Sequence, residues 1–452
     1  MHRAWVVVWV VVCAAVAAAE AGEQPTATEH PGWTLREVIA LALERNPDIQ
    51  QALARAEAAR AQVGEAESAF YPQLTARLAF ARTDDPAKAF GMIISQRRLS
   101  FDRNFNHPGP TQDVRPEVLA AFPLFRGGQD YFRRQAAGAG ARAAEAEAKA
   151  ARNAVIDAAA QAYYALLAAP EQLEVARVSR AAVQSAIENA RARVAAGAAL
   201  QSDVLSLETR LAAAEMAEVR ARNGVEVARS ALRLVLALPG SEPLSVSPEG
   251  EVSASLVRDA AEAVEQALAH RQELVAVREL VAAREAEVSA ERAGFLPRVD
   301  LMGSYGQNAT DLRFSASRDN WFFAATAELD LFSGFRKLER LRAAEQRLAE
   351  ARHLEDKTRA AVEHEARVAF ADWEEARERV KVSEAAVRSA EEALRLVDQQ
   401  YRAGAVIVTR YLEAEAARTE ARSQAVAARY DFHRSVAALR KAIGRWEEEF
   451  VP

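Results

Sequence analysis

The chain has 452 residues, enough to bury a sizeable core, and its charge is nearly balanced: 58 Lys and Arg against 64 Asp and Glu give a net charge of -6 at pH 7. So small an acidic excess, with no basic stripe and no aromatic stacking motif, leaves no electrostatic footprint for nucleic acid, and that partner class is excluded. Cys13 is the only cysteine, which rules out a disulfide framework and any paired-Cys metal site.

Residues 1–19 read as a secretory signal peptide: Arg3, an apolar run from Trp5 to Val16, then Ala17-Ala18-Ala19 before Glu20. The run is shorter than the ~20 residues that cross a bilayer, which argues against an anchor. Val12 stands before Cys13 where a lipidation site wants a small residue. Cleavage after Ala19 leaves a chain without a thiol, opening with an N-terminal tail over 20–34. No comparable apolar run follows, so any membrane crossing must use β-strands, whose alternating pattern hydropathy largely misses.

From Leu35 onward the chain is written twice. Leu35 to Leu74 runs parallel to Ala260 to Val299 without a gap, with Phe70-Tyr71-Pro72 matching Phe295-Leu296-Pro297 at an offset of 297 − 72 = 225. Beyond the prolines, Leu124-Phe125-Arg126-Gly127 matches Leu331-Phe332-Ser333-Gly334, and Ala196-Gly197-Ala198 matches Ala403-Gly404-Ala405, at an offset of 332 − 125 = 207. The segment between Pro and Phe is therefore longer in the first copy by 225 − 207 = 18 residues, an insertion that an exposed loop tolerates and a packed helix does not.

Each copy opens with a helix, over 35–71 and 256–296, whose apolar positions (Val38, Leu41, Ala42 and Ile49 in the first) follow a helical period. The helices stop at Pro72 and Pro297. Period-two segments come next, over 72–125 and 297–332. Leu74, Ala76, Leu78 and Phe80 form one face of a strand, and Val118, Ala120, Phe122 and Leu124 one face of its partner; Val299 to Tyr305 and Trp321 to Leu329 repeat the pattern. These make two hairpins and four strands of near-spanning length. A small soluble β-subdomain would alternate too, but the signal peptide and aromatics such as Trp321 near strand ends favour the membrane. Turn-formers fill the outward loops: Thr83-Asp84-Asp85-Pro86 and Asn106-His107-Pro108-Gly109-Pro110, then Asn308 to Asp311 and Ser315 to Asn320.

After Phe125 and Phe332 helix is predicted for most of the way to Gly197 and Gly404, about 72 residues or ~108 Å at 1.5 Å per residue. Pro170 is expected to kink or interrupt the first of these helices. The two glycines mark reversals, and return helices complete segments 126–238 and 333–443. A Pro- and Ser-bearing linker, 239–255, joins the copies, and 444–452 is a C-terminal tail. Abundant alanine and interleaved charges suit long packed helices.

Four strands cannot close a barrel, because the smallest membrane barrels need about eight, and open edges are not tolerated in lipid. The chain must then oligomerise, and three copies give about twelve strands. The helix ends at Phe70-Tyr71-Pro72 and Phe295-Leu296-Pro297, the junctions Phe125-Arg126-Gly127-Gly128 and Phe332-Ser333-Gly334, and the reversals Gly197…Ser202-Asp203-Val204-Leu205 and Gly404…Tyr411-Leu412 together resemble the TolC-like outer-membrane efflux factors. The resemblance covers nearly the whole mature chain. It implies a mostly α fold with a small β part: a homotrimer with a transmembrane β-barrel in outer-membrane lipid and a long α-helical barrel in the periplasm. It also implies a passive exit duct for efflux or type I secretion, gated at its periplasmic tip by a periplasmic adaptor protein and an inner-membrane pump of RND or ABC type. No cofactor, metal or catalytic residue is implied. Asp203 matches the family pattern at the tip, whereas Arg410 stands where the family often has an acidic residue, with Glu413 three positions on; the expected gate, beside Tyr411, is a mixed ring of Asp203, Arg410 and Glu413 held by ion pairs, and the alternative reading is ordinary solvated helix-surface charges.

Other chemistry finds little support. His353 and His364 lack the i, i+4 spacing of a metal pair, and Glu363-His364-Glu365 reads as a solvated helix face. The rival class is a periplasmic adaptor or coiled-coil scaffold. An adaptor would carry one helical hairpin between Gly-rich β-domains, and a scaffold would need no strands.

Overall fold

The computed structural model describes residues 32–240, 244–248 and 256–446. The signal peptide, most of the N-terminal tail, parts of the linker and the last six residues lie outside the described residues. In chain order the first repeat holds α1 (Leu35–Arg45), α2 (Pro47–Glu67), β1 (Gln73–Thr83), α3 (Pro86–Ser95), β2 (Thr111–Arg126), α4 (Gln129–Ala195) and α5 (Gln201–Val235). The second holds α6 (Ala260–His270), α7 (Gln272–Ala293), β3 (Arg298–Gln307), β4 (Asp319–Glu328), α8 (Arg336–Arg402) and α9 (Val408–Ala442). Both long helices have 67 residues and both return helices 35, and each pair is related by the 207-residue offset at both ends. At 1.5 Å per residue, α4 and α8 are each about 100 Å long.

The opening helix of each repeat is two helices. Asn46 is extended, its side chain accepts from Asp48 N at 2.9 Å, and Pro47 fills the first position of α2, where its missing N–H is no loss. Arg271 makes the same break without a proline; its guanidinium is buried and held by Glu273 and Glu365 at 2.9 and 2.8 Å. Pro170 does not interrupt α4, which runs through it. Leu166 and Leu173 on either side are buried, so packing outweighs the one backbone bond that proline forgoes. A feature beyond the predicted elements is α3. It occupies the loop lengthened by the 18-residue insertion.

The strands form one antiparallel sheet in the order β1-β2-β3-β4, each beginning or ending beside the predicted punctuation. Gln73 and Arg298 start β1 and β3 directly after Pro72 and Pro297. The helices that run into and out of the strands keep the strand order: α2 packs on α4, α4 on α7, and α7 on α8. Sheet and helical wall are thus two storeys of one arc. Both storeys are open at the same two edges, β1 with α2 and β4 with α8.

The α1, α5, α6 and α9 helices brace this wall part-way along. There the largest core gathers Ile39, Ile156, Tyr163, Leu232 and Trp446, and the tail meets the linker where Trp33 bridges Val246 and the Tyr163 hydroxyl donates to Ser247 O at 2.6 Å.

Candidate functional site

The register decides what each sheet face carries. Leu78 lies opposite Pro116, Val118 opposite Tyr305, and Tyr305 opposite Trp321, so one face is apolar across all four strands. Arg77 lies opposite Glu117, Asp300 opposite Thr326 and Arg298 opposite Glu328, so the other face carries the charged residues and ion pairs, Arg77 to Glu117 at 2.7 Å among them, interrupted by the rows of Leu119 with Phe322 and of Met302. An apolar outside and a polar inside are what a membrane barrel with a water-filled lumen requires. One residue departs from the sequence reading. A bulge between Pro123 and Phe125 shifts the register, so Phe125, and not Leu124, continues the apolar face from Phe122.

The strand-to-helix junctions turn through two successive left-handed residues, Gly127 and Gly128 in the first repeat and Gly334 and Phe335 in the second. A Cβ on Gly127 would sit 2.3 Å from the Ala293 carbonyl oxygen and 2.7 Å from Leu296 Cβ, whereas one on Gly334 would meet nothing within 4 Å.

At the far end of the long helices, Gly197 (φ 71°) and Gly404 (φ 76°) terminate α4 and α8, with Ala198 N donating to Arg193 O and Ala405 N to Gln400 O in the Schellman manner. The predicted tip residues separate into two environments. Arg410 and Glu413 are exposed and pair with each other at 3.2 Å along one helix, a contact worth a few tenths of a kcal/mol at ~0.3–0.5. Asp203 sits in the first turn of α5, where its carboxylate accepts from Leu200 N at 3.5 Å. Tyr411 is buried and stacks on Tyr401 with centroids 5.2 Å apart. Arg193 of the other hairpin lies over the Tyr401 ring and donates to its carbonyl at 2.8 Å.

Burial first, then the nearby Asp398 and Glu415 charges, push the Tyr411 phenol up to about 12. A phenol raised in the folded state contributes stability that is complete below its ordinary value near 10 and is lost as pH rises towards about 12. Tip packing is therefore expected to loosen between about pH 10 and pH 12, a transition absent from Tyr411→Phe. Phenolate absorbance against pH checks it, and a Tyr411 that titrates at its ordinary value would contradict it.

One residue near the tip carries no mark in the sequence. Glu415 is completely buried where α9 meets α4 and α5. Its carboxylate accepts from Ser179 Oγ at 2.7 Å, Thr419 Oγ1 at 2.8 Å and Arg418 at 3.2 Å, with Arg210 at 3.5 Å from the other oxygen.

The family whose profile is described as outer membrane efflux protein matches residues 38–238 and 263–445, one segment in each repeat. The chain belongs to that family. It is 26% identical over 388 residues to the outer membrane protein OprJ of Pseudomonas aeruginosa, covering 84% of this chain and 78% of OprJ. It is 26% identical over 318 residues to the outer membrane protein TolC of Vibrio cholerae, covering 69% of this chain and 72% of that one. A membrane protein of known structure from Pseudomonas aeruginosa superposes with a TM-score of 0.81 at 25% identity, over 91% of this chain and 93% of that one. The protein is thus a member of the outer-membrane efflux and secretion channel family, located in the outer membrane and extending into the periplasm. Its relatives are channels and not enzymes. The adaptor and scaffold readings lose to this one.

Proposed function

We propose that three copies of the chain close into one tube, the passive exit duct of an efflux or type I secretion system, whose helical tip is gated by a periplasmic adaptor and an inner-membrane pump of RND or ABC type. The observation that carries this reading is the pair of matching free edges, β1 with α2 and β4 with α8. An open strand edge is not tolerated in lipid, and head-to-tail joining of unlike edges generates a ring where the rotation between copies closes.

The duplication specifies how the edges meet. Within the chain β2 pairs with β3, with Val118 opposite Tyr305 and Ala121 opposite Met302. Carried through the two offsets, β4 pairs with β1 of the next copy, with Ala325 opposite Phe80 and Glu328 opposite Arg77. Glu328 already holds Arg298, and Arg77 already holds Glu117, so the seam continues a row of alternating charge on the polar face. The apolar faces also align there. The same operation sets the open side of Gly334 against Ser68 and Tyr71 of the next copy, as Gly127 lies against Ala293 and Leu296 within one.

The test is cysteine cross-linking in a Cys13→Ala background. Oxidising the Ala325→Cys, Phe80→Cys double variant is expected to give a covalent ladder ending at trimer, while Ala325→Cys with Ala79→Cys, whose side chains face opposite sides, gives none. A purified chain that is monomeric in detergent would end the duct reading.

A further inference from the structure

The loop that the insertion lengthens does not stand clear of the sheet. Asp85 caps α3 by accepting from Ala87 N and Lys88 N at 3.0 and 3.1 Å, and Pro86 opens it. Along α3 the positions Ala89 and Ile93, continued by Gln96 just beyond its end, form one fully buried stripe at helical spacing.

The stripe meets a polar network. Gln96 Nε2 donates to Gln112 O at 2.8 Å and to Asp113 Oδ1 at 2.9 Å; Asp113 Oδ2 accepts from Asn308 Nδ2 at 2.6 Å; Asn308 Oδ1 accepts from Asn320 Nδ2 at 2.9 Å. Asp113 shares a strand face with Glu117, and Asn320 lies opposite Gly306, itself opposite Glu117. Asp113 and Asn320 therefore belong to the polar face, and Asn308, one residue beyond β3, links them. Arg97, in the left-handed region at φ 54°, then donates to Asp319 O at 2.8 Å, so the loop spans from β2 across to the start of β4. An edge-on contact between Phe90 and Phe105, 4.9 Å between centroids, ties its outgoing and returning limbs.

A loop helix packed on the lipid side would need none of this polar fit. On the interior side it has a steric consequence. About twelve strands spaced ~4.8 Å apart and tilted ~40° enclose a lumen roughly 24 Å across between backbones. Each helix with its side chains is about 10–12 Å thick. Three of them at one level nearly fill it.

We infer that α3 forms a collar at the outer exit of the duct, a second constriction separate from the periplasmic tip, which sizes the cargo: small-molecule solutes pass and folded macromolecules do not. The inference rests on the trimeric-duct reading, and deepens it by naming a substrate class. The anchors that hold the collar are Gln96 on Asp113 and Arg97 on Asp319.

The test uses the full-length protein in intact cells, with Ser304→Cys on the polar face below the collar and Cys13→Ala. Two membrane-impermeant maleimides are added outside, one of small-molecule size and one carrying a polyethylene glycol chain of several kilodaltons. With α3 intact the small reagent is expected to label Ser304→Cys and the large one to label it at least tenfold more slowly. Replacing residues 86–106 by a short Gly-Ser turn, or keeping the loop and making Gln96→Ala with Arg97→Ala, should bring the two rates together. Trimer on a semi-native gel is scored in every variant. A trimer whose intact loop admits the large reagent as fast as the shortened one overturns the collar and leaves the duct standing. A shortened trimer that neither reagent labels refutes the interior placement of α3, and a monomer refutes the duct itself.

Discussion

Gly127→Ala is expected to abolish assembled protein in the outer membrane. The residue lies at φ 64°, where a Cβ costs about 1–2 kcal/mol. The new methyl would also come within 2.3 Å of the Ala293 carbonyl oxygen, at the end of α7. A backbone oxygen at a helix end cannot swing aside as a flexible side chain does, so relief requires the repeats to separate where β2 and β3 are paired. Overpacking of this kind adds about 1–3 kcal/mol. The two effects together are comparable with a large part of a domain's net stability of ~5–15 kcal/mol.

Gly334→Ala separates the chain from the ring. Its backbone strain is the same, φ 64°, but within one chain its Cβ would meet open space. If the next copy's α2 end sits there, Gly334→Ala should spare the folding of the single chain more than Gly127→Ala does, yet lower the temperature at which trimers dissociate on semi-native gels. Trimers of Gly334→Ala that dissociate at the parent temperature would show that the seam does not follow the internal repeat.

That comparison is possible because so much of the architecture is punctuated. Pro72 and Pro297 stop helices and start strands, and Gly197 and Gly404 end helices in a conformation that favours glycine. These are local signals, and they sit in the same place in both copies. What escaped reading depends on tertiary context. Asp85-Pro86 is as good a turn as it is a helix cap with a proline at the first position, and only the burial of Ala89, Ile93 and Gln96 decides for α3. Arg271 breaks α6 from α7 with no proline or glycine to announce it, while Pro170 announces a break that packing overrides. Period two placed Leu124 on the face of Phe122, and a bulge invisible to any periodicity moved Phe125 there.

At the tip the same limit applies to charge. Glu415 and Glu208 occupy equivalent positions in the two repeats. Glu208 is a surface partner of Arg191 at 2.7 Å, and Glu415 is sealed between three helices. Helical spacing treats both as polar-face residues. Only the neighbouring hairpin, bringing Ser179 and Arg210 over Glu415, makes one of them structural.

Glu415→Ala is accordingly expected to have the larger effect of the tip substitutions. It strips a buried site of its only carboxylate and leaves Arg418 and Arg210 facing each other, with the Ser179 and Thr419 hydroxyls losing their acceptor. Removing one partner from such a cluster costs about 3–5 kcal/mol, because the opposite charges stay behind poorly solvated and unpaired. Since Ser179 and Arg210 reach the cluster from the α4–α5 hairpin, part of that energy is lost from the contact between hairpins. A duct gated by movement of one hairpin against the other should then open more readily, with a raised resting conductance in planar bilayers. Glu415→Gln keeps an acceptor for both hydroxyls and should fall between the alanine variant and the parent. Glu413→Ala is the matched control: its pair with Arg410 is exposed on both sides and within one helix, so conductance should hardly change. A parent-like resting current in Glu415→Ala, or a larger rise in Glu413→Ala, would place the restraint on the solvated rim of the tip and not in its buried seam.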